Sequence, residues 1–172
     1  MNMDTTLKEQ ILLRAQAARE FSKQGAVIAM DFFGKAEKWT KADSSPVTEA
    51  DLAIDKYLQE MIVQDFPQDG ILSEETEALD SRFTKDFTWI IDPIDGTKEF
   101  IRQSNDFWVM IGLCYKGEAV YGVINIPATQ ELFYGGPGFG SSVDKDGQTY
   151  SLNQAPTLGN RVLISRSHRA DL

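Results

Sequence analysis

Residues 87–97 read Phe-Thr-Trp-Ile-Ile-Asp-Pro-Ile-Asp-Gly-Thr: a near-continuous apolar run, Phe87 to Ile91, that ends on two carboxylates three residues apart. A run with no polar alternation predicts a strand interior to a sheet. Asp92-Pro93-Ile94-Asp95-Gly96 then predicts a rigid turn, which can aim both acids and the Ile94 carbonyl toward one point. Gly96 leaves room for close approach, and Thr97 starts a helical turn over Lys98, Glu99 and Phe100. Asp and Glu are rarely buried unless paired or metal-bound. Oxygen ligands on a stiff turn suit Mg²⁺ or Mn²⁺ rather than zinc. The same residues also make a good surface turn after a core strand, so spacing alone leaves both readings open.

The flanks add acids and helices. Gly70 to Ser73 is a short extended run, followed at once by Glu74 and Glu75. Before it, Pro46 precedes Thr48, which can cap a helix with Asp51 closing a capping box; taken alone, Asp51 reads as a cap. Ala50, Ile54, Tyr57, Leu58, Met61 and Ile62 form the buried stripe of that helix, and Pro67 and Gly70 end the region. From Thr5 to about Gly34, Leu7, Ile11, Ala15, Ala18, Phe21, Gly25 and Ile28 recur at helical intervals, with small residues suited to close packing. The polar stretch Lys35–Ser45 reads as a loop whose Trp39 either stacks on a ligand or anchors the loop.

Downstream the chain turns to strands. Phe107–Tyr115 and Ala119–Ile126 flank a Lys116-Gly117 turn as antiparallel partners, and Glu131–Tyr134 and Thr149–Leu152 are shorter strands. Cys114 reads as core. The glycine-rich stretch Gly135–Gly140 lacks the Gly-Lys-Ser/Thr ending of a phosphate loop, and Val143–Gly147 reads as a hairpin turn. Arg161–Ile164 is a short strand leading into Ser165, Arg166, Ser167, His168 and Arg169, hydroxyls and cations that either hold an anion or form a solvated terminus. Two long helices followed by a run of strands predict an α+β fold.

Composition bounds the function. With 172 residues the chain is long enough for one substantial core. Its 26 acidic against 17 basic side chains, a net charge of −9, argue against binding a nucleic-acid backbone. One cysteine excludes an intrachain disulfide and paired-cysteine metal sites. No apolar run approaches the roughly 18 residues of a membrane span, and Met1–Lys8 is not a signal peptide, so a cytoplasmic protein is expected.

Three motifs together carry a resemblance. Pro46-Val47-Thr48-Glu49-Ala50-Asp51, Ser73-Glu74-Glu75 and Asp92-Pro93-Ile94-Asp95-Gly96-Thr97 resemble the N-terminal signatures of the inositol monophosphatase superfamily of lithium-sensitive, Mg²⁺-dependent phosphatases. Gly96-Thr97-Lys98-Glu99-Phe100-Ile101, Lys41-Ala42-Asp43 and Ser165-Arg166-Ser167-His168 resemble its 3'(2'),5'-bisphosphate nucleotidase branch more closely.

The resemblance implies a layered α/β sandwich of the sugar-phosphatase type, with two long helices on a mostly antiparallel sheet. It implies metal ligation by Glu74, Asp92, the Ile94 carbonyl and Asp95, with Mg²⁺ as cofactor, Mn²⁺ as a substitute and Li⁺ as an inhibitor. Asp51 and Thr97 would activate the attacking water, with Glu74 helping to position it. Gly96, Thr97, Lys41, Ser165, Ser167 and His168 would meet a small phosphorylated substrate, a nucleotide rather than a polymer. Glu75 would support the site. The implied reaction removes the 3'-phosphate from adenosine 3',5'-bisphosphate; the alternatives are an inositol or sugar-phosphate monophosphatase and a non-catalytic interaction module.

The chain departs from the family in length. Residues 1–172 read as the N-terminal metal-dependent phosphatase domain alone, because the Trp-Asp-x-Ala motif of the family's C-terminal domain has no counterpart here. Weak or absent activity of this chain alone and self-association through exposed apolar surface are the expectations that follow.

Overall fold

The computed structural model describes residues 4–41, 46–76 and 85–152. The order is α1 (Thr5–Phe32), β1 (Lys38–Thr40), β2 (Pro46–Thr48), α2 (Glu49–Asp65), β3 (Gly70–Ser73), β4 (Phe87–Asp95), α3 (Thr97–Ile101), β5 (Trp108–Tyr115), β6 (Glu118–Ile126), β7 (Glu131–Gly136), β8 (Gly140–Lys145) and β9 (Gln148–Ser151). Strands β3 to β9 form one seven-stranded sheet in sequence order. Among the described residues, β3 and β4 run parallel and each later pair of this sheet is antiparallel. This is the α+β sandwich that the resemblance implies, with two long helices on a largely antiparallel sheet.

Alternation along the strands explains where the helices lie. Trp89 and Ile91 of β4, and Val109, Ile111 and Leu113 of β5, are buried on the face that α1 and α2 cover. Gly25 of α1 brings helix and sheet into close approach: a Cβ there would stand 3.2 Å from Val109 and 3.4 Å from Ile54. One polar clamp closes this layer. The buried Asp69 carboxylate takes two bonds from Arg14, at 2.7 and 2.9 Å, and one from Trp89 Nε1 at 2.9 Å. The Arg14 guanidinium lies over the Phe87 ring, 3.8 Å from its centroid.

The opposite face carries Ile90, Met110, Cys114, Ile124 and Phe133 around an open apolar hollow of about 530 Å³. Ile90, Ile124 and Leu152 remain about 40% exposed there. Cys114 therefore lies on this outer face, half-buried, and not in the helix-covered core that the sequence suggests. No helix among the described residues is long and apolar enough to cross a membrane.

Two local readings need correction. The stretch expected as a plain loop contains β1, which pairs with β2 in a small antiparallel ribbon and leaves Trp39 exposed and not anchored. Asp92-Pro93-Ile94-Asp95 is not a turn but the continuation of β4. Between Asp92↔Met110 and Asp95↔Trp108, β4 advances three residues while β5 advances two, which is a β-bulge. Pro93 is tolerated because β3 pairs only as far as Ile91, leaving no strand partner among the described residues on that side to require an N–H.

Candidate active site

The bulge decides the geometry of the two aspartates. Residues three apart on a regular strand point to opposite faces, and one inserted residue cancels that alternation. Asp92 and Asp95 accordingly lie close enough to repel each other and both feel Glu74, which follows β3 next door. Burial first, then the Glu74 and Asp95 charges, push the Asp92 carboxyl up to about 8. A hydrogen bond with Glu74 and the charge of Asp51 act in the same direction. Asp95 is raised by burial, Glu74 and Glu99. Among the described residues, Asp92 Oδ1 is a buried carboxylate oxygen with no hydrogen-bond partner.

An acidic cluster of this kind, hard oxygens with one donor atom unpaired, has the chemistry of a site for a hard divalent cation. Its side chains do not yet converge: among the described residues no three His, Cys, Asp or Glu side chains form a ligand group. The residues fit Mg²⁺ by donor type, by the unpaired Asp92 oxygen and by their mutual repulsion.

Asp51 both caps a helix and faces the cluster. Its Oδ2 accepts from the Thr48 amide at 2.9 Å and from the Thr48 hydroxyl, closing the start of α2. Its Oδ1 faces the Thr97 hydroxyl oxygen at 3.3 Å. That hydroxyl also lies 3.1 Å from the Ile94 carbonyl oxygen, and its single proton serves one of the two. Asp51 is almost wholly buried, and burial raises its pKa against the opposing bonds from Thr48 and Thr97.

Gly96 makes the bend from β4 into α3. Its φ of +91° is left-handed, and a Cβ would stand 2.7 Å from the Asp106 carbonyl oxygen, so only glycine fits. The stacked and edge-on rings of Phe33, Phe100 and Phe107, with centroids 5.0 to 5.5 Å apart, hold α3 from below.

Lys41, just past β1, places its ammonium 2.8 Å from Glu75 and 3.5 Å from Glu74. Burial alone would lower its pKa, but the two carboxylates outweigh that and hold it above its ordinary value. Burial raises the Glu75 pKa, and Lys41 opposes the shift. Of the residues singled out in the sequence, Lys41, Asp51, Glu74, Asp92, Ile94, Asp95, Gly96 and Thr97 thus gather at one end of β3 and β4. Ser165, Ser167 and His168, and the strand expected at 161–164, lie outside the described residues. One residue escaped the sequence reading: Asp55, buried on α2 and bonded to Ser73, Thr76 and Gln59. Its signal was a carboxylate next to Ile54 in a stripe of apolar residues.

Residues 9–171 match the inositol monophosphatase family. The chain belongs to that family. It is 38% identical over 128 residues to a histidinol-phosphatase of Chlorobaculum parvum, covering 73% of this chain and 49% of the relative. It is 40% identical over 114 residues to the 3'(2'),5'-bisphosphate nucleotidase CysQ of Aggregatibacter actinomycetemcomitans, covering 65% and 42%. Among solved structures, the Thermotoga maritima IMPase matches with a TM-score of 0.71 at 27% identity, over 78% of this chain and 52% of that one. The chain spans about half the length of these inositol monophosphatase family relatives.

Proposed function

We propose that this chain supplies the cation site and the water-activating pair of a Mg²⁺-dependent phosphomonoesterase. The observation that carries the proposal is the unpaired, buried Asp92 oxygen among Glu74 and Asp95, beside the Asp51–Thr97 contact. Glu74, Asp92, the Ile94 carbonyl and Asp95 are the residues that would hold Mg²⁺. When bound there, the cation would neutralise the phosphoryl oxygens and acidify a water. Thr97 donates its proton to Asp51, which leaves its lone pairs to accept a proton from that water. Glu74 borders the same point, so it orients the water as well as holding the cation. The Thr97 backbone amide is offered to the phosphate, the Gly96 amide being held by the Asp95 carboxylate, and Lys41 brings an ammonium to the edge of the site.

For the substrate we favour adenosine 3',5'-bisphosphate losing its 3'-phosphate, supported by the Gly96–Ile101 sequence and by several CysQ nucleotidases among the relatives. Histidinol phosphate is the second reading, supported by the histidinol-phosphatase relatives at 38% identity. Phosphate release from these two esters and inositol 1-phosphate, with Mg²⁺ and with chelator, tests the proposal. Mg²⁺-dependent phosphate release is expected, fastest on the bisphosphate and abolished by chelator. A preference for another ester overturns the substrate, and release indifferent to chelator overturns the mechanism. Self-association belongs to the same proposal, through the outer face bearing Ile90, Ile124 and Leu152; a monomer by sedimentation at micromolar concentration contradicts it.

A further inference from the structure

We propose that Asp55 is a positioning residue that sets Glu74 for the cation, an inference that rests on the metal site proposed above. Asp55 lies one turn beyond Asp51 on α2 and is only 6% exposed. Its carboxylate takes the residues on both sides of the Glu74-Glu75 pair. The Ser73 hydroxyl donates to Oδ1, and the Thr76 hydroxyl donates to Oδ2 at 2.9 Å. Gln59, the next turn of the same helix, donates to Oδ2 at 2.7 Å and to the Thr76 hydroxyl oxygen at 2.8 Å. Ser73 Oγ in turn accepts from the Glu75 amide at 3.1 Å, and the Glu74 amide donates to the Ile91 carbonyl at 3.2 Å.

The consequence is mechanical. Glu74 follows a strand of only four residues, and a segment leaving so short a strand has little of its own to hold it. Asp55 ties that segment at both ends to α2, the helix whose first turn carries Asp51. The water-activating carboxylate and the cation-binding carboxylate then move as one body. A buried carboxylate with only uncharged donors is a poor choice for packing, where an apolar side chain avoids the cost of desolvation. It is a good choice for gathering several donors, because an ionised carboxylate accepts about four hydrogen bonds and an amide side chain at most two. An Asn at this position turns an NH₂ group either on the Gln59 amide donor or on the Ser73 hydroxyl, and takes the carboxylate charge from both ends of the bracket.

The test measures Mn²⁺ affinity by the loss of the free-ion paramagnetic resonance signal, alongside thermal unfolding. Asp55→Asn is expected to weaken Mn²⁺ binding about 10- to 100-fold, the range for partners that orient metal ligands. Ser73→Ala and Thr76→Val, each removing one end, are expected to weaken it by smaller factors, and they carry the test if Asp55→Asn fails to fold. Asp69→Asn is the control: it disturbs a buried clamp at the other end of β3. It is expected to lower the unfolding temperature and leave Mn²⁺ affinity unchanged. Asp55, Ser73 and Thr76 variants that lower stability but keep Mn²⁺ affinity within about threefold overturn the proposal and leave the metal site standing. Failure of the unsubstituted chain to bind Mn²⁺ overturns both.

Discussion

The Thr97 hydroxyl oxygen stands 3.3 Å from Asp51 Oδ1, joining the start of α2 to the start of α3 across 46 positions of sequence. Asp51 is fixed by its own helix cap, through Thr48, so the contact depends on where β4 delivers Thr97. Thr97→Val keeps the shape and removes the proton carrier. Turnover is expected to fall about 10²- to 10⁴-fold with little change in unfolding temperature. Asp51→Asn is expected to lose turnover similarly and stability as well, since it weakens the cap. Full activity in Thr97→Val, measured by steady-state phosphate release, contradicts the assignment.

The acids predict how stability depends on pH. Asp92 titrates at about 8 in the folded chain against 3.8 in an ordinary environment. Between those values the folded state keeps a proton that the unfolded chain has released, so stability falls as pH rises through the window. In chelator, the unfolding temperature is expected to drop from pH 5 toward pH 8. Asp92→Asn flattens that slope, and millimolar Mg²⁺ restores the midpoint at the alkaline end. A midpoint that rises across this range contradicts the placement of the cluster.

Away from the site, the Asp69 carboxylate joins Arg14 of α1 to Trp89 of β4. Asp69→Ala leaves Arg14 and the Trp89 indole N–H without their partner in a buried setting. A loss of about 3 to 5 kcal/mol is expected from chemical denaturation, in the range for breaking a buried ion pair. A loss below about 1 kcal/mol shows that water replaces the carboxylate.

Gly96→Ala combines a left-handed φ with a Cβ pressed against the Asp106 carbonyl. Strain of about 1 to 3 kcal/mol is expected. Relief of that strain moves Thr97, so turnover falls together with stability. An alanine variant as active and as stable as the unsubstituted chain shows that the bend into α3 yields freely.

The elements and the principal acids were legible because their signals are local. The alanine-rich stripe around Ala15 and Ala18 specifies α1, Pro46 and Thr48 mark the start of α2, and the Trp89–Ile91 run marks a strand covered by helices on one face and exposed at Ile90 on the other. What could not be read depends on partners far along the chain. Asp92–Asp95 has the composition of a turn, yet becomes a bulged strand because Met110 and Trp108 of β5 pair with its ends. Lys38–Thr40 becomes a strand only against Pro46–Thr48. Asp55 looks like a surface acid on a helix until Ser73 and Thr76 arrive from the end of β3. The acids facing the site were visible as motifs, whereas the network that holds them required the fold.

Calorimetric titration with Mg²⁺ near neutral pH tests whether Glu74, Asp92 and Asp95 bind a divalent cation. Saturable binding is expected for the unsubstituted chain, with Asp92→Asn weakened at least about tenfold while remaining folded. A flat titration of the unsubstituted chain, or equal affinity in Asp92→Asn, rules out a cation site at these carboxylates.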